Sequence, residues 1–524
     1  MKKIGMFLIL GLLAISIIGC NKTTDKSESK GNEGTTAEKD YATEMNVAIT
    51  AQPPTLDSAM TVSQAALNIA GAIFEPLMAF DKDYKPVPML AESVDASDDG
   101  MTYIFHLREG IKFHNGKEMT SEDVVASMNR WLEKSSRAKA LLANAKFEAQ
   151  DEYTAVLKLE KATSDALIIM ASKAQFPAIM PKGIIESAPA EGVTEYIGTG
   201  PFKFEEWKQD QYIHLVKNDD YKAVEQEASG LSGKKEAFVN DIYYHFVTDH
   251  STRVAGIQTG KYDIAESIPI ENYEQLSQVK NVELHPFVGG TLTLFYNTNE
   301  GVLADNKLRQ AIQTGLKMDE IMMASFVNDE LYTLDPGYMN PNQKQWASDA
   351  GKEFYNIGDV EKAKELLKEA GYNGQEVRLL TTADYAEMYT ATLVVQEQLR
   401  QLGVNVKVDN YDFPTFMDHK NDFKSWDIFI TSNGYQPTPP QLLPVTRDWA
   451  GVDNPKITEL LTAIRSSATP EEAKAKWDEL QGFMYEYLPS TAIGQYKSIL
   501  ATTDKLEGFE VFEGPIVWNS KVIK

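Results

Sequence analysis

At 524 residues the chain exceeds what one hydrophobic core ordinarily supports, so two or three domains are expected. Its 76 acidic residues against 51 basic ones leave a formal charge of −25, which argues against nucleic acid or anionic lipid as the main partner and serves chiefly solubility. A sole cysteine, Cys20, excludes an internal disulfide.

Lys2 and Lys3 precede an apolar run over 4–18, the charged-then-hydrophobic pattern of an export leader and short for a spanning helix. Ile17-Ile18-Gly19-Cys20 then looks like a bacterial lipobox, with residues 1–19 removed and Cys20 lipidated. Two acyl chains, palmitate among them, would anchor stably where one would not, since each buried methylene adds ~0.8 kcal/mol. Residues 20–42 hold the lipidated cysteine and a run rich in Lys, Glu, Ser, Thr and Gly, predicting a tether without a packed core. A strand follows over 45–50. Asp98-Asp99-Gly100 marks a turn, and the alternation of Tyr103, Phe105 and Leu107 with Thr102, Ile104 and His106 predicts the strand after it. Ile111 and Phe113 lead to the turn Asn115-Gly116; Thr120 then opens a helix carrying Val124, Val125, Met128 and Trp131 at helical spacing. Further strands are read at 154–159, 213–216 and 242–247, with a helix from Asp165. From about Gly290 helix and strand alternate: helices over 307–315, 360–370, 388–402, around Phe416 and over 471–487, and strands over 377–381, 404–408, 428–431 and 493–500. The run from 377 to 431 predicts a mainly parallel sheet wrapped by helices.

The stretch over 91–131, AESVDASDDGMTYIFHLREGIKFHNGKEMTSEDVVASMNRW, resembles the extracellular solute-binding proteins of peptide-type ABC importers, the group of oligopeptide, dipeptide and nickel receptors. Gly198-Thr199-Gly200-Pro201-Phe202, the segment RVAGIQTGKYD over 253–263 and Phe295-Tyr296-Asn297-Thr298-Asn299 extend the likeness. It implies an α/β, periplasmic-binding-protein-like fold with two lobes, a hinge and an extra third domain, built of mixed sheets flanked by helices. Lobe I would comprise 43–76, 198–289 and 491–524, the extra domain 77–197 and lobe III 290–490.

Catalytic chemistry finds little support. Seven histidines (106, 114, 214, 245, 250, 285 and 419) show no metal-ligand spacing, and no nucleophile elbow appears. The two glycines of Gly198-Thr199-Gly200 lack the Lys-Ser/Thr of a phosphate loop. No enzyme, metal or cofactor is therefore expected. The resemblance instead points to cleft residues: Tyr296, Tyr385 and the loop after Ile428 with Asn433, Gly434, Tyr435 and Gln436, plus Met60, Thr61 and Ser63 near the start of the mature fold. Tyr296 and Tyr385 read equally as core. Relatives usually hold the α-ammonium with an aspartate in that loop, yet no acidic residue lies between Asp427 and Arg447 here. Asp448 is the nearest substitute, with Arg447 for a carboxylate and Trp449 for stacking; an exposed ion pair is the plain alternative. Arg137 and Lys139 could meet an anion or form a solvated helix face.

The expectation is a monomeric receptor on the outer face of the cytoplasmic membrane, held by its lipid at Cys20. It would capture short peptides or peptide-like solutes between two lobes and pass them to ABC permease subunits, with no role for nucleic acid. A nickel or other metal-chelate receptor of the same fold, with His419 at the rim, is the alternative; a peptidase is disfavoured.

Overall fold

The computed structural model describes residues 40–467 and 469–524. The leader, Cys20 and the tether through residue 39 lie outside the described residues. Tyr41 bridges Ile523, and the N–H of Ala42 donates to the Val522 carbonyl at 2.7 Å, so residues 41 and 42 belong to the folded body rather than to the tether.

An 11-stranded mixed sheet is the frame. At one end Glu44–Ile49 lies parallel to both Asp241–Phe246 and Ile264–Ala265, and Tyr212–Lys217 and Phe202–Lys208 extend the sheet antiparallel. Alternation turns Val47, Ile49, Ile213, Leu215 and Ile242 into one core with Trp518 and with helix α1, Gln64–Ile73. The returning chain crosses the end of α1 at Gly198 and Gly200. A Cβ there would stand 2.2 Å from the Ile73 oxygen or 2.6 Å from that of Ala72, so the two glycines serve close backbone approach.

At the other end Glu376–Thr382 pairs in parallel with Asn405–Tyr411 and Ile428–Gly434, as the alternating pattern predicts. Ile428–Gly434 then pairs antiparallel with Val282–Tyr296, which makes the sheet mixed rather than mainly parallel. Two long strands, Val282–Tyr296 and Ser490–Thr503, join the ends, antiparallel to one another over most of their length. Their register breaks between Val288 and Gly290 and again between Leu292 and Thr293, the local signature of β-bulges.

The segment around 91–131 builds a separate four-stranded antiparallel sheet in the order Ala91–Ala96, Thr102–Leu107, Thr154–Lys158, Lys146–Asp151. Helix α2, Ser121–Lys134, follows; its start is fixed by the Asp123 carboxylate accepting from the Thr120 N–H at 3.1 Å. Phe105, Trp131 and Phe147 of this region share one apolar cluster with Phe295, Trp426 and Trp477. Among the described residues no helix is long and apolar enough to cross a membrane.

Candidate binding cleft

A cavity of about 380 Å³ opens where the two long strands pass beneath α1, the loop after Ile428–Gly434 and the tip of a C-terminal hairpin. Its floor is Phe287, Val288 and Gly289 with Tyr496 and Ser498; Gln64 and Asn68 of α1 form one wall, and Gly434, Tyr435 and Gln436 the facing one. Tyr435 is tied back to the floor by its hydroxyl, which donates to the Gly290 carbonyl at 3.3 Å and also bonds the Gln495 side chain. Burial raises its pKa, so it offers the cavity a neutral ring.

Charge enters the cavity from four other segments. Lys173 donates to Asn68 Oδ1 at 2.6 Å and to the Glu513 carbonyl at 2.9 Å, while Asn68 Nδ2 donates to Glu266 Oε1 at 3.0 Å. Arg137, on the short helix α3 at Ser136–Leu141, bonds Ser172 Oγ at 3.3 Å and Gln436 Oε1 at 3.4 Å. Burial dominates the ionisation of all four groups. It pushes Lys173 down to about 8 against the pull of Glu513 and Glu266, lifts Glu266 to about 7, raises the Glu513 carboxyl and lowers Arg137. Desolvated charges facing a cavity are a costly arrangement that a bound partner would relieve.

At Tyr84, Gln343 and Gln436 the cavity lining joins chain segments far apart in sequence. Gln343 Nε2 donates to the Gln436 carbonyl at 2.9 Å, Asn340 Nδ2 to the Tyr84 hydroxyl at 3.1 Å, and Lys344 pairs with Asp83 at 2.5 Å.

Of the residues singled out by sequence, Gly434, Tyr435, Gln436 and Arg137 line the cavity. Asn433 sits one step back on the strand, opposite Thr291, with its buried Nδ2 unbonded. Met60, Thr61 and Ser63 are displaced from the expectation: Thr61 Oγ1 accepts from the Ser63 N–H at 3.0 Å and Ser63 caps α1, so they set the helix from which Gln64 and Asn68 reach inward, while Met60 lies against Gly192. Tyr296 is 0 % exposed and belongs to the core, because the strand's alternation turns it away from the cavity. Tyr385 precedes the helix Ala386–Gln401 and packs edge-on against Phe413 at 4.9 Å, outside the cavity lining.

Arg447, Asp448 and Trp449 also fall elsewhere. They form the one-turn helix Arg447–Ala450, where Arg447 pairs with Asp453 at 3.7 Å in an exposed contact. Trp449 packs on Phe295 and Phe429, with Lys420 over its ring and bonded to the Asp448 carbonyl. Arg447 thus pairs with Asp453 rather than with Asp448, and the acids lining the cavity are Glu266 and Glu513. Sequence reading missed those two, together with Asn68 and Lys173. The signal was a charge set in a small or apolar run, as in Ile264-Ala265-Glu266, Met170-Ala171-Ser172-Lys173 and Val511-Phe512-Glu513-Gly514. Among the described residues no group of three metal-ligating side chains converges. His419 stacks on Tyr411 at 4.3 Å.

A mixed sheet bridged by two long strands, with a charge-lined cavity beside the crossing, is the architecture of a periplasmic binding protein. The family profile of bacterial extracellular solute-binding proteins, family 5 Middle, matches residues 85–448, and the chain belongs to that family. Among its relatives is the probable peptide ABC transporter periplasmic-binding protein y4tO of Sinorhizobium fredii, 28% identical over 489 residues, covering 88% of this chain and 90% of the relative. The glutathione-binding protein GsiB of Escherichia coli is 30% identical over 381 residues, covering 71% of this chain and 70% of its own. Among solved structures, AgaA from A. tumefacien R10 in complex with agropinic acid superposes with a TM-score of 0.72 at 25% identity, covering 92% of this chain and 99% of that one.

Proposed function

We propose that this chain is the capture component of an ABC importer for short peptides or peptide-like solutes. The observation that carries the reading is the cavity of about 380 Å³, within the ~300–1,000 Å³ typical of small-ligand sites, lined by charged side chains of which Arg137 bonds only neutral groups. Main chain and termini of a peptide would supply the missing partners, and the names of y4tO and GsiB agree with such a solute. On this reading the segments meeting here would come from lobe I (43–76, 198–289, 491–524), the extra domain (77–197) and lobe III (290–490). Binding would favour the shut form through contacts with all three, and the permease would read that form. No step in this role requires catalysis.

Cys20, lipidated after removal of 1–19, would hold the receptor at the outer face of the membrane, with 21–40 as the tether. Two experiments test the reading. Native mass spectrometry of protein purified from cells, followed by calorimetry with a mixture of di- to tetrapeptides, is expected to show a retained small solute and saturable binding. Full recovery of unbound protein with no heat from any peptide overturns it. Palmitate labelling that persists in Cys20→Ser would remove the anchor.

A further inference from the structure

We propose that Arg137 and Glu513 form a seat for a free α-amino-acid head group, an ammonium and a carboxylate carried on one carbon. The inference rests on the capture reading above and narrows its solute.

Four ionisable side chains reach this cavity, and two are already engaged with one another's neighbours. Asn68 joins Lys173 to Glu266, accepting from one and donating to the other. Arg137 and Glu513 are left over. The guanidinium touches only the neutral Ser172 and Gln436, at 3.3 and 3.4 Å, and no carboxylate among the described residues forms an ion pair with it. Among the described residues the Glu513 carboxylate likewise has no hydrogen bond or ion pair; Lys173 bonds its backbone carbonyl and acts on the carboxylate only through space. Yet the two charges stand close enough to influence each other's ionisation. Both side chains line the one cavity with no ion pair between them, so the gap is wider than an ion pair and bounded by the cavity.

Both sides of the gap are held in place. Glu513 lies at the tip of the hairpin Glu510–Val511 and Pro515–Ile516, in the left-handed region at φ 51°, a conformation a glutamate adopts only where its surroundings impose it. The Lys173 ammonium fixes the Glu513 carbonyl, and Gly514 follows because a Cβ there would come within 2.7 Å of Asn68 Oδ1. Arg137 is held from behind, its N–H donating to Gln175 Oε1 at 3.2 Å. Neither charge pairs with the other in the structure, which leaves room for a complement from solution.

The chemistry of that complement follows from spacing. In an α-amino acid the ammonium and carboxylate are about 3 Å apart, and a charge-assisted hydrogen bond of about 2.8 Å on each side completes the span. An extended peptide advances about 3.3–3.6 Å per residue, which carries its two termini too far apart to meet both groups once it is more than a few residues long. A solute that keeps ammonium and carboxylate on one carbon, with its remainder attached elsewhere, fits the pair.

The test uses two isomers of equal mass and charge, γ-L-glutamyl-glycine, which keeps the head group intact, and α-L-glutamyl-glycine, which splits it. Calorimetry of the purified chain is expected to give an affinity for the γ isomer about tenfold or more above that for the α isomer. Glu513→Gln and Arg137→Met are each expected to abolish that preference, with circular dichroism and melting confirming the fold. Equal affinities, or tighter binding of the α isomer, overturn the seat while leaving the capture reading in place. So does a preference that survives in a folded Glu513→Gln. If neither isomer binds but other peptides do, the seat is again overturned alone; if no peptide binds at all, both readings fall. The wild-type comparison decides without any variant should these fail to fold.

Discussion

Two arginines seven residues apart, Arg130 buried on α2 and Arg137 half-buried on α3, meet opposite fates. Arg130 forks onto Asp57, with contacts of 3.2 and 2.5 Å, and Asp57 also accepts from the Val193 N–H at 3.0 Å. Every charge there is spent inside the protein, joining the loop before α1 to the helix that ends the 91–131 segment. Arg137 faces Glu513 across a gap and has only neutral acceptors. The difference teaches that the same residue types mark structure where they close on each other and a binding surface where they are kept apart.

Breaking the closed pair should have the largest effect. Asp57→Ala strands Arg130 in a dry site and is expected to cost about 3–5 kcal/mol in denaturant unfolding. Glu513→Gln, by contrast, removes a charge that has no partner and should move stability by less than about 1 kcal/mol. A comparable loss in both variants would erase the distinction between the two regions.

The pH dependence sharpens it next. Burial lifts the Glu266 carboxyl from 4.5 to about 7, so between those values the folded chain keeps a proton that the unfolded chain has released. Wild-type stability should therefore fall as pH rises through that window, by up to about 3 kcal/mol, and level off above it. Glu266→Gln keeps an acceptor for Asn68 and should lack the slope; unfolding curves at about pH 5 and about pH 7.5 compare the two.

Smaller still is the effect on capture. Arg137→Met is expected to weaken solute affinity about tenfold, roughly 1.4 kcal/mol, with the melting temperature nearly unchanged. Asp448→Ala should alter affinity by less than about twofold, since that residue lies beside Lys420 and the Trp449 ring, away from the cavity lining. A selective loss for free-amine peptides in Asp448→Ala would return that residue to the cleft.

Much of the frame was legible because local rules act over short spans. Tyr103, Phe105 and Leu107 announce their strand by alternation, Asp359 and Gly371 bracket the helix Val360–Glu369, and the series from 376 to 434 declares a parallel sheet. The long strands were only half visible: 493–500 was read, but Ser490–Thr503 continues on both sides, since its pairing with Val282–Tyr296 is set by contacts two hundred residues away in sequence. The site was legible where it depends on one loop, as at Gly434 to Gln436, and illegible where it depends on convergence. Glu513 and Arg137 stand far apart along the chain, and nothing in either local run says that they share a cavity. The RDW turn misled because a charged pair beside a tryptophan is the right composition for a site; the side of the sheet on which it falls is a tertiary fact.

The crossing between the two ends of the molecule is made of paired strand rather than slack loop, and that sets what kind of movement it can carry. A ribbon of two hydrogen-bonded strands resists stretching and sliding, because either would break many bonds at once, but it flexes where bulges loosen the ladder, here at 288–293 beside Gly289 and Gly290. It behaves as a leaf spring clamped at both ends.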